Sequence, residues 1–317
     1  MMKEKKAKIA ILLATYNGAR YLREQLDSIL AQEEQDWHLL ISDDGSRDDT
    51  LKILEEYRAR YPQRITLVAH ERPTGSSMAN FMLLTRQAGD YDYVMYCDQD
   101  DVWLPWKIGV TLQKMRETED GRIGLPCLVH TDLKVAGEDL SVKNESFFYS
   151  SMLRADRDRL NYLLIQNIVT GCTMMINHAL WELAVLPVTG GEMLMHDGWF
   201  ALIAAAVGRI GFVDASTILY RQHSDNVVGA KNVRSFHYIA AAPGRLKQNS
   251  RSIRQSQSQA GALANTLGDR LSPEQTRMLT QYAGLRRYGK LKRLAVVFRY
   301  RIWLLGWHRK LAELVLI

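Results

Sequence analysis

The chain has 317 residues, 47% of them hydrophobic and 24% charged, the balance of an ordinary globular protein able to bury a sizeable core. Its cysteines, Cys97, Cys127 and Cys172, are odd in number, far apart and without CxxC spacing, which argues against a disulfide framework or a zinc site and fits a reducing cytoplasm. The net charge of +6 conceals an asymmetry: residues 231–317 carry 17 Lys and Arg against 3 Asp and Glu, a net of +14, and the rest of the chain is at −8. A mildly acidic body with a basic tail predicts an anionic partner, either a membrane surface or nucleic acid. The charged start, Met1 to Lys6, precedes an apolar run too short for a signal peptide. No stretch reaches the roughly 18–20 apolar residues of a spanning helix.

Lys8 to Ala14 reads as a fully buried first strand, ending in the turn Thr15-Tyr16-Asn17-Gly18. A helix follows, with Leu22, Leu26, Ile29 and Leu30 on one face. His38 to Ser42 is a second strand, closed by Asp43-Asp44-Gly45-Ser46, and Ser46 or Asp48 can cap a helix carrying Leu51, Ile53, Leu54 and Tyr57. Ile65 to Val68 is a third strand, and a helix near residues 76–84 leads to a fourth, Tyr93 to Cys97. The alternation predicts a parallel sheet with helices on both faces. Only Gly18 follows the first strand, so the GxGxxG of a dehydrogenase-type dinucleotide fold is missing. Further on, Lys107 to Met115 reads as a helix and Leu125 to His130 as a strand. Residues 137–165 read as a lid or acceptor-side insertion, and Gly171 to Ile176 as another strand. Met195-His196-Asp197-Gly198-Trp199 opens an Ala-rich helix through Val207. Gly211 to Val213 and Thr217 to Tyr220 form a last strand pair before Arg221-Gln222-His223.

The fourth strand runs into Asp98-Gln99-Asp100-Asp101-Val102-Trp103. Ligands of open α/β sheets bind beyond the carboxyl ends of strands, where these acids fall. Three carboxylates within four positions repel and stay ionised cheaply only with a cation or donors among them. Oxygen ligands suit a hard ion, Mg2+ or Mn2+, shared with substrate phosphates. Alone, the stretch equally describes a solvated acidic turn.

Four motifs, Ala14 to Gly18, Ser42 to Ser46, Asp98 to Asp101 and His196-Asp197, fall in an order and spacing that resemble the family 2 inverting glycosyltransferases over about residues 8–230. Cys97 to Trp103 and Tyr220 to His223 are similar to the bacterial rhamnosyltransferase branch, whose usual donor is dTDP-L-rhamnose and whose product is part of a surface polysaccharide. The resemblance implies a GT-A type, Rossmann-like, mostly parallel α/β sheet as the catalytic domain over residues 1–230, and the change in charge marks a helical basic extension over 231–317. It implies Thr15, Tyr16, Asn17 and Asp43 or Asp44 at the nucleotide, and Asp98 and Asp100 at the metal and diphosphate, with Asp101 adjacent as an acceptor for a sugar hydroxyl. It places a catalytic base at Asp197, which by itself reads as an ordinary helix-capping acid. Arg72 and Asn80, flanking Gly75, are candidates for the diphosphate or donor, and a surface turn explains them as well. His223 either completes the metal site or hydrogen-bonds the diphosphate. His196 reads as a neighbour that orients the base, while Trp103 and Trp199 are either sugar platforms or core.

The expected activity is metal-dependent inverting transfer, with Mg2+ or Mn2+, from dTDP-L-rhamnose or a UDP-hexose to a glycan or lipid-linked acceptor. The tail interleaves Val296, Val297, Phe298, Ile302, Trp303, Leu304, Leu305 and Trp307 with Lys292, Arg293, Arg299, Arg301, Arg309 and Lys310. That mix suits a helix lying on anionic lipid at the inner face of the cell membrane, or one packed on the catalytic domain. No nucleic-acid-binding module accompanies the charge. Strand-Asp-x-Asp-x-Val also matches a haloacid-dehalogenase phosphatase, but that motif follows the first strand of its fold, and here three β-α units precede it. A non-catalytic nucleotide-sugar-binding protein would have no need of Asp197.

Overall fold

The computed structural model describes residues 6–223 and 246–303. Two compact units divide the chain. The first comprises residues 1–147, 170–185 and 211–230, and the second 148–169, 186–210 and 231–317.

The first unit is built on one mixed sheet. Its strands are β1 (Ile9–Thr15), β2 (Trp37–Asp43), β3 (Ile65–Leu67), β4 (Tyr93–Cys97), β5 (Val102–Trp103), β6 (Cys127–Ala136), β7 (Val142–Asn144), β8 (Met174–Asn177) and β9 (Arg209–Arg221). They run in the order β3-β2-β1-β4-β8-β6-β9-β5, with β7 pairing β6. Parallel pairing is confined to β3-β2-β1-β4, so the sheet is mixed where a mostly parallel one is expected. Beyond β4 the pairing turns antiparallel: Val94 faces Ile176 of β8, and Leu128 of β6 faces the same residue. Continuous apolar runs make β1 and β4, because strands covered by helices on both faces bury every side chain. Ile9 through Leu13 and Val94 through Cys97 are at most 1% exposed. Helix Leu22–Leu30 buries Leu22, Leu26 and Ile29 on one face, as its i, i+4, i+7 spacing requires.

Register sets up the site. Thr15 of β1 pairs with Asp43 of β2, while Leu13 pairs with Cys97 of β4. From β1 the order runs outward to β2 on one side and β4 on the other, so the sheet reverses between β1 and β4. The carboxyl ends on either side of such a reversal border a ligand crevice.

Several elements differ from expectation. The predicted strand pair at 211–220 is one continuous strand of 13 residues. β5, only two residues long, pairs antiparallel with β9 and lies inside the acidic stretch, too short for any periodicity to reveal. Helix His178–Ala184 follows β8 directly, its Asn177 cap accepting from the Leu180 N–H.

The second unit is helical and takes in more than the tail. Helix His196–Val207 belongs to it, with Trp199, Phe200, Ile203 and Ala204 buried. Leu246–Leu267, Pro273–Ala283 and Lys290–Tyr300 follow. Pro273 at the first turn and a reciprocal capping box between Ser272 and Gln275 start the second of these. In the last helix Val296, Val297 and Tyr300 are buried, while Leu291 and Phe298 are exposed. The apolar side of residues 290–300 is therefore largely core. Leu304, Leu305, Trp307, Arg309 and Lys310 lie outside the described residues. Among the described residues no helix is long and apolar enough to cross a membrane.

Candidate active site

At the carboxyl ends of β1 and β2, the Asp43 carboxylate organises its own turn. Oδ1 accepts from the Gly45 and Ser46 N–H groups at 3.1 and 2.8 Å, and Oδ2 accepts from the Thr15 and Ser46 hydroxyls at 2.9 and 2.6 Å. Gly45 needs its left-handed φ of 84° to close this turn. Asn17, at φ 48°, links the two strand ends: its N–H donates to Ser46 Oγ and its side-chain oxygen accepts from the Arg47 N–H. Asp44 turns the other way, and its carboxylate accepts from the N–H groups of Thr74 and Gly75. The pair thus divides: Asp43 shapes the turn beside Thr15, and Asp44 anchors the 72–76 loop. Arg72 is exposed on that loop. Asn80 is 1% exposed and its amide donates to the Ser42 carbonyl, so it braces the strand end from beneath. Tyr16 is 55% exposed, its ring open to a stacking partner while its backbone is tied to Gln99 by two hydrogen bonds of 2.9 and 3.0 Å. A Cβ at Gly18 would collide with the end of the Gln99 side chain, so a larger residue there would displace Gln99 from its bonds to Tyr16.

Beyond β4, the carboxylates of Asp98 and Asp101 and the Cys172 thiol converge within 4.8 Å of one another. Asp100 Oδ2 pairs with His223 Nε2 at 2.8 Å, and the His223 ring lies against Tyr21 with centroids 4.8 Å apart. Asp101 is fully buried. Burial, then the charges of Asp100 and Asp98, push its carboxyl well above the usual carboxylate range. Burial first, and the neighbouring acids next, likewise raise the Cys97 and Cys172 thiols, which stay protonated.

Two cations compensate this cluster. Arg221, 2% exposed at the end of β9, donates its N–H to Asp101 Oδ1 at 3.1 Å and its Nε to the Asp100 carbonyl at 2.8 Å. Its guanidinium also reaches the Glu138 carbonyl and Glu24, and sits 4.6 Å from the Tyr21 ring centre. Lys107 is fully buried, its Nζ 4.7 Å from the Trp103 ring centre and without a hydrogen-bond partner among the described residues. Desolvation lowers its pKa to about 8, opposed by the nearby Cys172, Cys97 and Asp101. Trp103 is 2% exposed and Trp199 is fully buried, which makes both of them core rather than sugar platforms.

Asp100 and His223 offer a hard divalent ion one oxygen and one nitrogen donor, 2.8 Å apart and joined to each other by a hydrogen bond. Asp98 adds a half-buried carboxylate beside them in sequence. Asp98, Asp101 and Cys172 are the group among the described residues close enough together to hold an ion, although a sulfur ligand suits a hard ion less well than oxygen.

In the second unit, Asp197 lies in the first turn of helix His196–Val207, half-buried, with Oδ1 accepting from the Gly198 N–H at 2.6 Å. His196 is 3% exposed and set edge-on to Phe200; burial drives its pKa down to about 3, so the ring is neutral. Sequence reasoning missed Gln99, Lys107, Cys172 and the bracing role of Arg221. Gln99 and Arg221 were visible as neighbours of expected site residues. Nothing in sequence joins Cys172 to Asp101 across 70 positions.

Residues 10–184 match the model of glycosyl transferase family 2. The dTDP-rhamnosyl transferase RfbG of Shigella flexneri is 29% identical over 69% of this chain and 74% of its own length. The putative glycosyltransferase EpsE of Bacillus subtilis is 33% identical over 32% of this chain and 36% of its own. Among solved structures, S. aureus TarS 1-349 in complex with UDP-GlcNAc aligns at TM-score 0.57 and 16% identity, covering 92% of this chain and 79% of TarS. The mannosyltransferase PcManGT from Pyrobaculum calidifontis, in complex with GDP-Man and Mn2+, aligns at TM-score 0.53 and 18% identity, covering 98% and 86%. These likenesses carry the fold, and the family match carries the activity class and removes the phosphatase alternative. With its parallel β3-β2-β1-β4 half and antiparallel remainder, the sheet is that of the GT-A glycosyltransferases, and the chain belongs to glycosyl transferase family 2.

Proposed function

We propose that this glycosyltransferase is metal-dependent and inverting, and that it moves L-rhamnose from dTDP-L-rhamnose to a hydroxyl of a glycan or lipid-linked acceptor during synthesis of a bacterial surface polysaccharide. The observation that carries the reading is the convergence of the Asp43 turn and the Asp98 to Asp101 cluster at the reversal of the sheet, the two halves of a nucleotide-diphosphate site. The rhamnosyl donor is favoured by the 29% identity to a dTDP-rhamnosyl transferase over most of the chain.

In this reading the exposed Tyr16 ring stacks on the pyrimidine, and Thr15, Asn17 and Asp43 hold the turn that meets base and ribose. Asp44 acts through the loop bearing Arg72, which offers a cation to the diphosphate, and Asn80 keeps the β2 end in place. Asp98, Asp100 and His223 would hold Mg2+ or Mn2+, which supplies charge neutralisation for the leaving diphosphate. Asp101, being enclosed, reaches the donor only by fixing the loop of its neighbours. Asp197 takes the proton from the acceptor hydroxyl as it attacks the anomeric carbon. In the same reading the protein rests peripherally on the cytoplasmic face of the membrane, near a lipid-linked acceptor, which is supported by the basic charge of residues 231–317 and the exposed Leu291 and Phe298.

Calorimetric titration of dTDP-L-rhamnose, UDP-glucose and UDP-galactose, each with and without Mn2+, tests this. The expected result is metal-dependent binding of dTDP-L-rhamnose alone, weakened about 10- to 100-fold by Asp100→Ala, as the loss of a charge-assisted contact predicts. Preference for a UDP-hexose would remove the rhamnosyl donor and leave the transferase. Metal-independent binding, unchanged in Asp100→Ala, would remove the metal assignment.

A further inference from the structure

The helical unit contains a cavity of about 140 Å³ whose polar lining is dominated by three arginines: Arg254 on helix Leu246–Leu267, Arg286 in the turn at 285–287, and Arg293 on helix Lys290–Tyr300. Gln257 and Ser250 supply further donors, and no carboxylate lines it among the described residues. Only three acids occur in residues 231–317, so the basic charge here is not balanced along the chain.

The side chains are arranged to receive something. Arg293 is held by the Tyr288 and Arg286 carbonyls, at 2.7 and 3.1 Å, which fixes the plane of its guanidinium. Among the described residues Arg254 bonds only within its own helix, to the Ser250 carbonyl and hydroxyl. Arg286 has no side-chain hydrogen bond or ion pair among the described residues. Gln257 is 6% exposed, lines the cavity, and its amide makes no hydrogen bond among them either. Helix Lys290–Tyr300 adds to the field. Its first turn has no acid and no side-chain cap, and it sets Lys290, Lys292 and Arg293 at the positive end of the helix dipole. Several guanidinium forks around a small polar cavity match the oxygens of a phosphate bidentately. A volume of 140 Å³ has room for such a group and for water around it.

We propose that this cavity is a binding site for a phosphate group, as a phosphomonoester or diphosphate, taken by Arg254, Arg286, Arg293 and Gln257. The site goes beyond sugar transfer, and it stands or falls independently of which donor the enzyme uses. The group is carried either by a lipid headgroup or by a free anion.

The test uses the full chain without divalent cations. Inorganic phosphate and pyrophosphate are titrated by calorimetry. Co-sedimentation is measured with phosphatidylcholine vesicles alone and with vesicles containing phosphatidic acid. Arg254→Gln/Arg286→Gln removes two exposed cavity cations, and Arg270→Gln/Arg277→Gln removes two exposed cations elsewhere in the same unit. The expected result is binding of at least one phosphate probe, weakened about tenfold or more in the cavity variant and within about twofold of wild type in the control. Response to pyrophosphate without vesicle binding identifies a free anion; response to phosphatidic acid vesicles alone identifies a headgroup. No binding of any probe, or equal loss in both double variants, would overturn the proposal, since the first leaves no site and the second leaves only diffuse charge. Dye-monitored thermal unfolding of both variants, and titration of dTDP-L-rhamnose with Mn2+, show that neither folding nor donor binding has changed.

Discussion

Asp197→Asn is expected to lower kcat by about a thousandfold while donor affinity stays within about twofold of wild type, the loss typical of a missing general base. The substitution keeps shape and hydrogen-bonding capacity and removes only the ability to take a proton. That makes it a sharp test, because Asp197 sits in the first turn of helix His196–Val207, where an acid has a purely structural use as well. If structure were its only role, Asn would serve nearly as well: it accepts from the Gly198 N–H as the carboxylate does and forfeits only about 0.3–1 kcal/mol of interaction with the helix dipole. Fold and turnover would then both survive. The helix dipole and the Gly198 N–H both stabilise the carboxylate and so weaken it as a base. Half-burial opposes them. The buried, neutral ring of His196 adds no positive charge that would weaken it further. Single-turnover rates, donor titration and Tm together decide the matter. A kcat within about tenfold of wild type, or a lost Tm in place of a lost rate, would remove Asp197 from the chemistry.

Much of this architecture is legible in the residues, and the rest is hidden for identifiable reasons. Buried parallel strands read as unbroken apolar runs, so Ile9–Thr15 and Tyr93–Cys97 stand out within a residue or two. Turn chemistry is local, so Asp43-Asp44-Gly45-Ser46 announces a closed turn. The division of labour between Asp43 and Asp44 is not local, since it depends on Thr74 and Gly75 some thirty residues away. Strand direction is equally silent: Met174–Asn177 has the composition of any core strand, and only its pairing with Val94 shows that it runs backwards. Burial inverts other readings. Asn80, polar and five positions after Gly75, looks like a surface ligand until its amide is found on the Ser42 carbonyl. The tail of 231–317 reads as a separate extension because its charge differs, whereas its helices share a compact unit with residues 148–169 and 186–210.

Arg221→Met is expected to destabilise the fold by about 3 kcal/mol, lowering Tm by about 5–10 °C, and to weaken metal-dependent donor binding about tenfold. Methionine keeps length and apolar bulk, so cavity formation is a minor part of the cost. The ion pair with Glu24 is also minor, because the glutamate side chain is 54% exposed and such pairs contribute about 1 kcal/mol or less. What remains is the guanidinium's grip on the Asp100 and Glu138 carbonyls, each costing about 1–3 kcal/mol when left unsatisfied. Glu24→Gln should therefore cost under about 1 kcal/mol, and Arg221→Lys should recover only part of the loss, because a single ammonium does not reproduce the planar fork. The Arg221 backbone N–H still reaches Asp101 in every variant, so Asp101 stays tethered while Asp100, and the His223 it holds, are released. A structural brace alone would move Tm and leave donor affinity untouched once measured well below the transition. Loss of affinity there, specific to titrations containing Mn2+, ties Arg221 to the loop that carries Asp98 and Asp100. If Glu24→Gln proved as costly as Arg221→Met, the exposed ion pair rather than the carbonyls would be the brace, and donor affinity would then be expected to survive both.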